Sequence, residues 1–264
     1  MRTVEFTKGH ATKNDFIILE DLDNHLRLTD QQIRKLCDRR SGIGADGILR
    51  VAASTDPRAD WFMDYRNADA SLAEMCGNGL RLFIRYLYDS GLDRKDTIAV
   101  MTRAGLRYGS VLNDRVRVSM GRVRLGEMTT IGLDGDIFNA QHVNVGNPHA
   151  VIELSDRAQL DSLNLLEKPL YDPTVFPDGT NVECIFIDHD RIQMRVWERG
   201  VGETYSCGTG VVASACVAAR KNDLSRVKVC VLGGELDVDW QGDESYLTGP
   251  ADITARGQAY LQGE

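Results

Sequence analysis

Apolar residues along this chain fall mostly into short runs, many alternating with polar positions, which is the spacing of strands rather than of long helices. In the first half such runs are Asp60 to Tyr65, Thr97 to Thr102, Leu106 to Leu112 and Val116 to Met120; in the second they are Arg191 to Trp197, Val227 to Leu232 and Glu235 to Trp240. Two longer apolar segments, Leu80 to Tyr88 and Val211 to Arg220, read as helices, and Gln31 to Cys37 as a third. Gly91 and Asn222 stand where the two apolar helices should stop, because both tolerate the left-handed backbone of a helix C-terminus. Many short strands, glycine turns and few helices predict an α+β protein.

The pattern repeats. Met75-Cys76-Gly77-Asn78-Gly79-Leu80 and Ser206-Cys207-Gly208-Thr209-Gly210-Val211 place their cysteines 131 residues apart, almost half of the 264-residue chain. Met63 and Met194 each lie 13 residues before their cysteine, and Asn67 and Glu198 each lie 9 before it. Asn14 and Asn147 stand 62 and 60 residues upstream, and Gly105 and Gly234 stand 29 and 27 downstream. Landmarks in one order at nearly one offset indicate a duplicated unit. Each copy reads as a strand, a polar loop, the Cys-Gly-x-Gly element, an apolar helix and further strands. The predicted architecture is two similar α+β halves, each a strongly bent sheet holding one principal helix, joined around Gly121 to Gly135.

Composition narrows the functional classes. Hydrophobic residues at 42% and charged residues at 27% are ordinary for a folded globular chain. The net charge of -8, with no basic run longer than pairs such as Arg39-Arg40, argues against nucleic acid as a partner. The longest nearly uninterrupted apolar run, Val211 to Ala219, is too short to span a membrane, so no membrane partner is expected. The first residues carry Glu5 and no apolar core of signal-peptide length, which reads as cytoplasmic. In that compartment the six cysteines are expected to be thiols, with Cys37, Cys184, Cys216 and Cys230 taken as ordinary core residues.

A cysteine just before Gly-x-Gly at a helix start lies where unpaired amides and the positive end of the helix dipole converge, so its thiolate is favoured. The amides of Gly77, Asn78, Gly208 and Thr209 can grip a carboxylate there, since glycine admits close approach. Two such thiols flanking a carboxylate-bearing carbon suggest one reaction: one sulfur removes the α-proton, the other delivers a proton to the opposite face, and the centre inverts. That chemistry requires no cofactor in principle. The chain has no P-loop, no His-Glu-x-x-His and no Cys-x-x-Cys, so no metal site is expected.

The chain resembles the diaminopimelate epimerase family over nearly its whole length. The resemblance lies in Asn14-Asp15-Phe16, Gly42-Ile43-Gly44-Ala45-Asp46-Gly47, Tyr65-Arg66-Asn67-Ala68-Asp69, Glu74-Met75-Cys76-Gly77-Asn78-Gly79, Gly146-Asn147-Pro148-His149, Asn181-Val182-Glu183, Trp197-Glu198-Arg199-Gly200 and Cys207-Gly208-Thr209-Gly210. Lys8 to Asp15 and Met63 to Asn67 further resemble the actinobacterial branch.

The resemblance implies a cofactor-independent isomerase that interconverts LL- and meso-2,6-diaminopimelate for lysine and peptidoglycan synthesis, with Cys76 and Cys207 as base and acid. Asn14, Asn67, Gly77, Asn78, Asn147, Asn181, Glu198, Arg199, Gly208 and Thr209 match substrate-binding positions. His149 and Glu198 match positions that modulate the thiols. An arginine fork such as Arg199 suits a distal carboxylate, and Glu198 suits an ammonium. Gly47 departs from the pattern, standing where some members carry a substrate-contacting glutamine. The fold implied is two pseudo-symmetric domains, each a bent mixed sheet or barrel around a central helix, with the active site in the cleft between them. The halves are residues 1–120, completed by residues 257–264, and residues 121–256, and the assembly implied is a homodimer. A proline racemase-like enzyme on the same fold and a thiol redox switch are the alternatives.

Overall fold

The computed structural model describes residues 2–261. The chain runs through β1 (Arg2–Ala11), β2 (Asn14–Asp21), α1 (Asp30–Cys37), β3 (Gly47–Ala53), β4 (Trp61–Asn67), α2 (Gly77–Ser90), β5 (Ile98–Thr102), β6 (Gly105–Leu112) and β7 (Arg115–Arg122). It continues as β8 (Arg124–Leu133), β9 (Asp136–Asn144), β10 (Pro148–Leu154), α3 (Arg157–Ser162), β11 (Leu170–Tyr171), β12 (Asn181–Asp188), β13 (Arg191–Glu198) and β14 (Gly202–Thr204). Last come α4 (Gly208–Asn222), β15 (Arg226–Val231), β16 (Gly234–Gln241), β17 (Glu244–Pro250) and β18 (Asp252–Leu261). Contacts divide the chain into two units: one takes it up to Val118 and again from Pro250, the other holds Ser119 to Gly249.

In the first unit the strand order is β18-β1-β2-β3-β4-β5-β6-β7, and the successive pairings are antiparallel, antiparallel, parallel, antiparallel, parallel, antiparallel and antiparallel. In the second unit the order β8-β9-β10-β12-β13-β15-β16-β17 has the same succession of senses. A parallel pair needs a crossover, which a tight hairpin cannot provide. The helices supply it: α1 and α2 lie between the parallel pairs of one unit, α3 and α4 between those of the other. The duplicated landmarks of the sequence are thus duplicated connections.

Helix α2 packs on β1, β2, β3, β4, β6 and β18, and α4 on β9, β10, β12, β13, β15 and β16. Each curved sheet therefore wraps its helix, and a helix wrapped in this way must be apolar nearly all round. Leu80, Leu82, Phe83, Ile84 and Leu87 of α2 have no exposure, and each such burial contributes roughly 1.5–3 kcal/mol. Val211, Val212, Ala213, Ala215 and Ala218 do the same in α4 with smaller side chains.

Four details differ from the sequence-based expectation. The sheets do not close into barrels: among the described residues no pairing joins β18 to β7 or β8 to β17. Gly121 to Gly135, around which the halves were expected to join, lies inside the second unit and carries β8, which forms eight residue pairs with β9 and two with β11. The left-handed residue after α4 is Asp223, at φ 52°, one position beyond Asn222. The returning C-terminal strand is longer than Gln258 to Leu261, since pairing with β1 begins at Asp252.

Candidate functional site

In the first unit Cys76 is the N-cap of α2, extended at φ -138°, and its sulfur accepts the Gly79 amide at 3.4 Å. Gly77 and Asn78 are buried in the first helical turn, while the thiol is half-buried. Asn14 Oδ1 stands 3.7 Å from Cys76 Sγ and accepts Asn78 Nδ2 at 3.2 Å. Its Nδ2 donates to Asp46 at 2.7 Å, so both ends of the Asn14 amide are held. Arg39 bridges Asp46 and Asp15, and Lys8 also pairs with Asp15, holding that carboxyl at about 2 against the upward push of burial. Within α2, the fully buried Arg81 folds back along the first turn, donating to Asn78 Oδ1 at 2.9 Å, to Thr12 Oγ1 at 3.2 Å and to the Gly77 carbonyl at 3.4 Å.

Asn67 Oδ1 accepts the Tyr65 hydroxyl at 2.7 Å, and its Nδ2 donates to Ser71 at 2.9 Å. The glycine at position 47 follows from this arrangement. A Cβ there would come within 2.5 Å of the Arg66 carbonyl and 2.8 Å of the Tyr65 ring. The buried Tyr65 therefore fills the space that a longer side chain at position 47 would need, and it brings its own hydroxyl to Asn67.

In the second unit Cys207 is likewise the N-cap of α4 in extended conformation, but it is buried and makes no capping hydrogen bond. Its sulfur lies 3.5 Å from Thr209 Oγ1. Asn147 Nδ2 donates to that hydroxyl at 3.3 Å, and Asn147 Oδ1 faces His149 Nε2 at 3.0 Å. The opposite ring nitrogen, Nδ1, meets Glu183 Oε1 at 2.8 Å, with both side chains wholly buried. Asn181 Oδ1 accepts the Arg199 amide at 2.9 Å, and the exposed Arg199 guanidinium donates to the Asp178 carbonyl at 2.9 Å. Thr204 donates to Glu198.

Strand register aligns the two sets. Phe16 lies opposite Gly47 and Gly47 opposite Asn67, as His149 lies opposite Asn181; the β12–β13 ladder, with Val182 opposite Trp197, stops one step short of Asn181 and Glu198. Asn14 thus corresponds to Asn147, Gly47 to Asn181, and Asn67 to Glu198. The pair His149 and Glu183 occupies the places of Phe16 and Leu49.

Sequence reasoning favours thiolate at both cysteines, yet the Cys207 thiol is pushed well above the usual range, by burial first and then by the Glu198 and Glu183 carboxylates. The magnitudes explain the outcome. A helix dipole contributes about 0.3–1 kcal/mol, less than one pKa unit, and burial beside two carboxylates exceeds that. Cys37 and Cys184 are pushed up to about 12, again chiefly by burial. Cys216 and Cys230 are only half-buried, more exposed than the core role assigned to them requires. Arg81, Thr12, Tyr65 and Glu183 stand behind the candidate site residues, and sequence reasoning assigned them no role. The available signal was a lone charge inside an apolar run, as in Leu80-Arg81-Leu82 and Val182-Glu183-Cys184, which a core admits only with a partner.

The family model for diaminopimelate epimerase matches residues 6–126 and 141–254. The diaminopimelate epimerase of Corynebacterium glutamicum (strain R) is 48% identical over 98% of this chain and 99% of its own length. That of Rhodococcus erythropolis is 45% identical, covering 97% and 96%. Among solved structures, a PhzF-family phenazine biosynthesis protein from Bacillus anthracis aligns at TM-score 0.75 with 16% identity, over 99% of this chain and 100% of that one. A hydroxyproline epimerase from Agrobacterium vitis aligns at TM-score 0.70 with 16% identity, over 97% and 92%. These two likenesses concern the fold alone. No described helix is long and apolar enough to cross a membrane.

Proposed function

The chain belongs to the diaminopimelate epimerase family; it is an isomerase that interconverts LL- and meso-2,6-diaminopimelate in lysine biosynthesis, and we propose that Cys76 and Cys207 are its two acid–base groups. One sulfur takes the α-hydrogen as a proton, leaving the C–H electron pair on the α-carbon and its carboxylate. The other sulfur gives its proton to the opposite face. The amides of Gly77, Asn78, Gly208 and Thr209 bind the carboxylate of the reacting centre and stabilise the charge that builds on it. Arg199 receives the distal carboxylate with its guanidinium fork, held by the Asp178 carbonyl, and Glu198 receives an ammonium. Asn14, Asn67, Asn147 and Asn181 orient the substrate, and His149 acts through Glu183. A cytoplasmic homodimer belongs to the same proposal, and sedimentation of the purified protein tests the assembly.

The observation that supports this reading best is the repetition of one N-cap cysteine at the same place in two units of the same strand order. Incubating the reduced protein with LL-diaminopimelate in deuterated water tests it. Early meso product carries one solvent deuterium at the inverted centre while remaining substrate stays protonated. Equal early labelling of substrate and product means one shared base and overturns the two-thiol assignment.

A further inference from the structure

The first unit holds a charge that its protein partners do not neutralise. Arg81 has no exposure, and every group it donates to is neutral: an amide oxygen of Asn78, a hydroxyl of Thr12 and the carbonyl of Gly77. Its Nε has no partner. The ionisable groups acting on it are Cys76, which favours the charged form, and Arg115 of β7, which opposes it. Burial brings the guanidinium down to about 9, and the cation is retained at neutral pH. A buried cation without an anion costs several kcal/mol. Among the described residues no carboxylate acts on Arg81, and the acids behind Asn14, Asp46 and Asp15, are already paired with Arg39 and Lys8.

We propose that Arg81 is a positioning residue for the isomerase reaction, the built-in counter-ion that makes Cys76 the resting thiolate while Cys207 rests as the thiol. The inference depends on the two-thiol reading above. Two routes connect the pair. Arg81 folds back along the first turn of α2, whose N-cap is Cys76, and acts through a medium that screens poorly. It also fixes Asn78 by taking hold of Oδ1, which leaves Nδ2 for Asn14 beside the sulfur. The ionised sulfur keeps the Gly79 amide as donor, whereas the long contact to Asn14 Oδ1 suits the protonated sulfur.

The consequence for turnover is directional. For the stereoisomer whose α-hydrogen faces Cys76, the C–H bond breaks and an S–H bond forms on Cys76. The S–H bond of Cys207 then breaks as its proton goes to the other face of the carbon. The enzyme is left with a Cys76 thiol and a Cys207 thiolate opposed by the Glu198 and Glu183 carboxylates, and exchange with water must reset it.

Alkylation by iodoacetamide across pH 5 to 10, quantified separately for each cysteine peptide, tests the proposal without substrate. In the wild-type protein Cys76 reaches half-maximal reactivity at least one pH unit below an ordinary thiol at about 8.5, and Cys207 well above it. Arg81→Met moves the Cys76 midpoint up by one unit or more, a tenfold loss of reactivity at neutral pH, and leaves Cys207 unmoved. Arg81→Lys recovers part of the lost reactivity. The acidic limb of the epimerase pH profile moves with the Cys76 midpoint. A wild-type midpoint at or above 8.5 overturns the proposal even if the variants do not fold, and so does an unmoved midpoint in a folded Arg81→Met protein. Failure of the two-thiol reading shows separately, as epimerase activity surviving in Cys76→Ala, whatever the alkylation result.

Discussion

The two units share strand order, helix placement and an N-cap cysteine, yet the ground under the two helices is opposite in character. Beneath α2 the register places Phe16 and Leu49, and a cation, Arg81, is buried within the helix. Beneath α4 the same places hold His149 and Glu183, and the helix position matching Arg81 is Val212. A duplicated fold gives two thiols the same N-cap position at a helix start. The same position twice does not by itself serve a proton relay, which needs one sulfur charged and the other protonated at the same moment. The difference between the halves lies in buried charge placed one layer below the motif.

The largest effects come from removing the sulfurs. Cys76→Ala and Cys207→Ala each lower epimerase turnover by about 10^3-fold, in line with loss of a positioned acid–base group. Each variant still exchanges the α-hydrogen of the one stereoisomer that faces its remaining thiol. At neutral pH that exchange is faster in Cys207→Ala, because it keeps the sulfur beside Arg81. Faster exchange in Cys76→Ala, followed by mass spectrometry in deuterated water, inverts the comparison.

Next in size is the buried pair. Glu183→Leu installs the residue of the other half but strands His149 without its acceptor, so unfolding in urea should lose about 3–5 kcal/mol. His149→Phe with Glu183→Leu copies Phe16 and Leu49 together and should recover most of that loss, since a well-packed apolar pair replaces a buried polar one at little net cost. The double variant also relieves the Cys207 thiol of one of its two carboxylates. Its alkylation midpoint falls toward the ordinary thiol range while that of Cys76 stays put. If the double variant is as unstable as the single one, the two halves are not interchangeable frameworks.

Much of this was legible in the sequence, for physical reasons that also mark the limit. The strands and the two main helices follow from local periodicity, and the duplication follows from fixed offsets around Cys76 and Cys207. Openness of the sheets was not legible, because closure depends on which edges meet and not on any one strand's pattern. The segment from Gly121 to Gly135 read as the joint between the halves, although Thr129 to Leu133 make an ordinary antiparallel ladder with Asp136 to Ala140. The N-cap placement of both cysteines was legible because a helix start, two glycines and a thiol lie within four residues. Arg81 and Glu183 were not, because their meaning lies in distant partners: Thr12 stands 69 residues from Arg81, and His149 stands 34 from Glu183. A local reading sees each as one polar interruption in an apolar run.

The smallest effect isolates the same contrast at a single atom. Gly79 and Gly210 occupy the same position of the two motifs, and a methyl group added at each probes what lies beneath. At Gly79 the new Cβ would stand 3.3 Å from Leu49 Cδ2 and 3.5 Å from the Phe16 ring, apolar atoms that can give by a few tenths of an ångström. At Gly210 it would stand 2.4 Å from Glu183 Oε1, the oxygen that meets His149, so the pair has to move with it. Alanine also gains up to about 1 kcal/mol over glycine in a helix, which offsets a mild crowding but not the displacement of a buried hydrogen-bonded carboxylate. Gly79→Ala should therefore change unfolding stability by less than about 1 kcal/mol, while Gly210→Ala should cost about 1–3 kcal/mol. Combining Gly210→Ala with the double replacement of His149 and Glu183 removes the clash and should bring the cost down to that of Gly79→Ala. Equal costs for the two alanines in the otherwise unaltered chain would mean that the charge beneath α4 is softer than its burial implies.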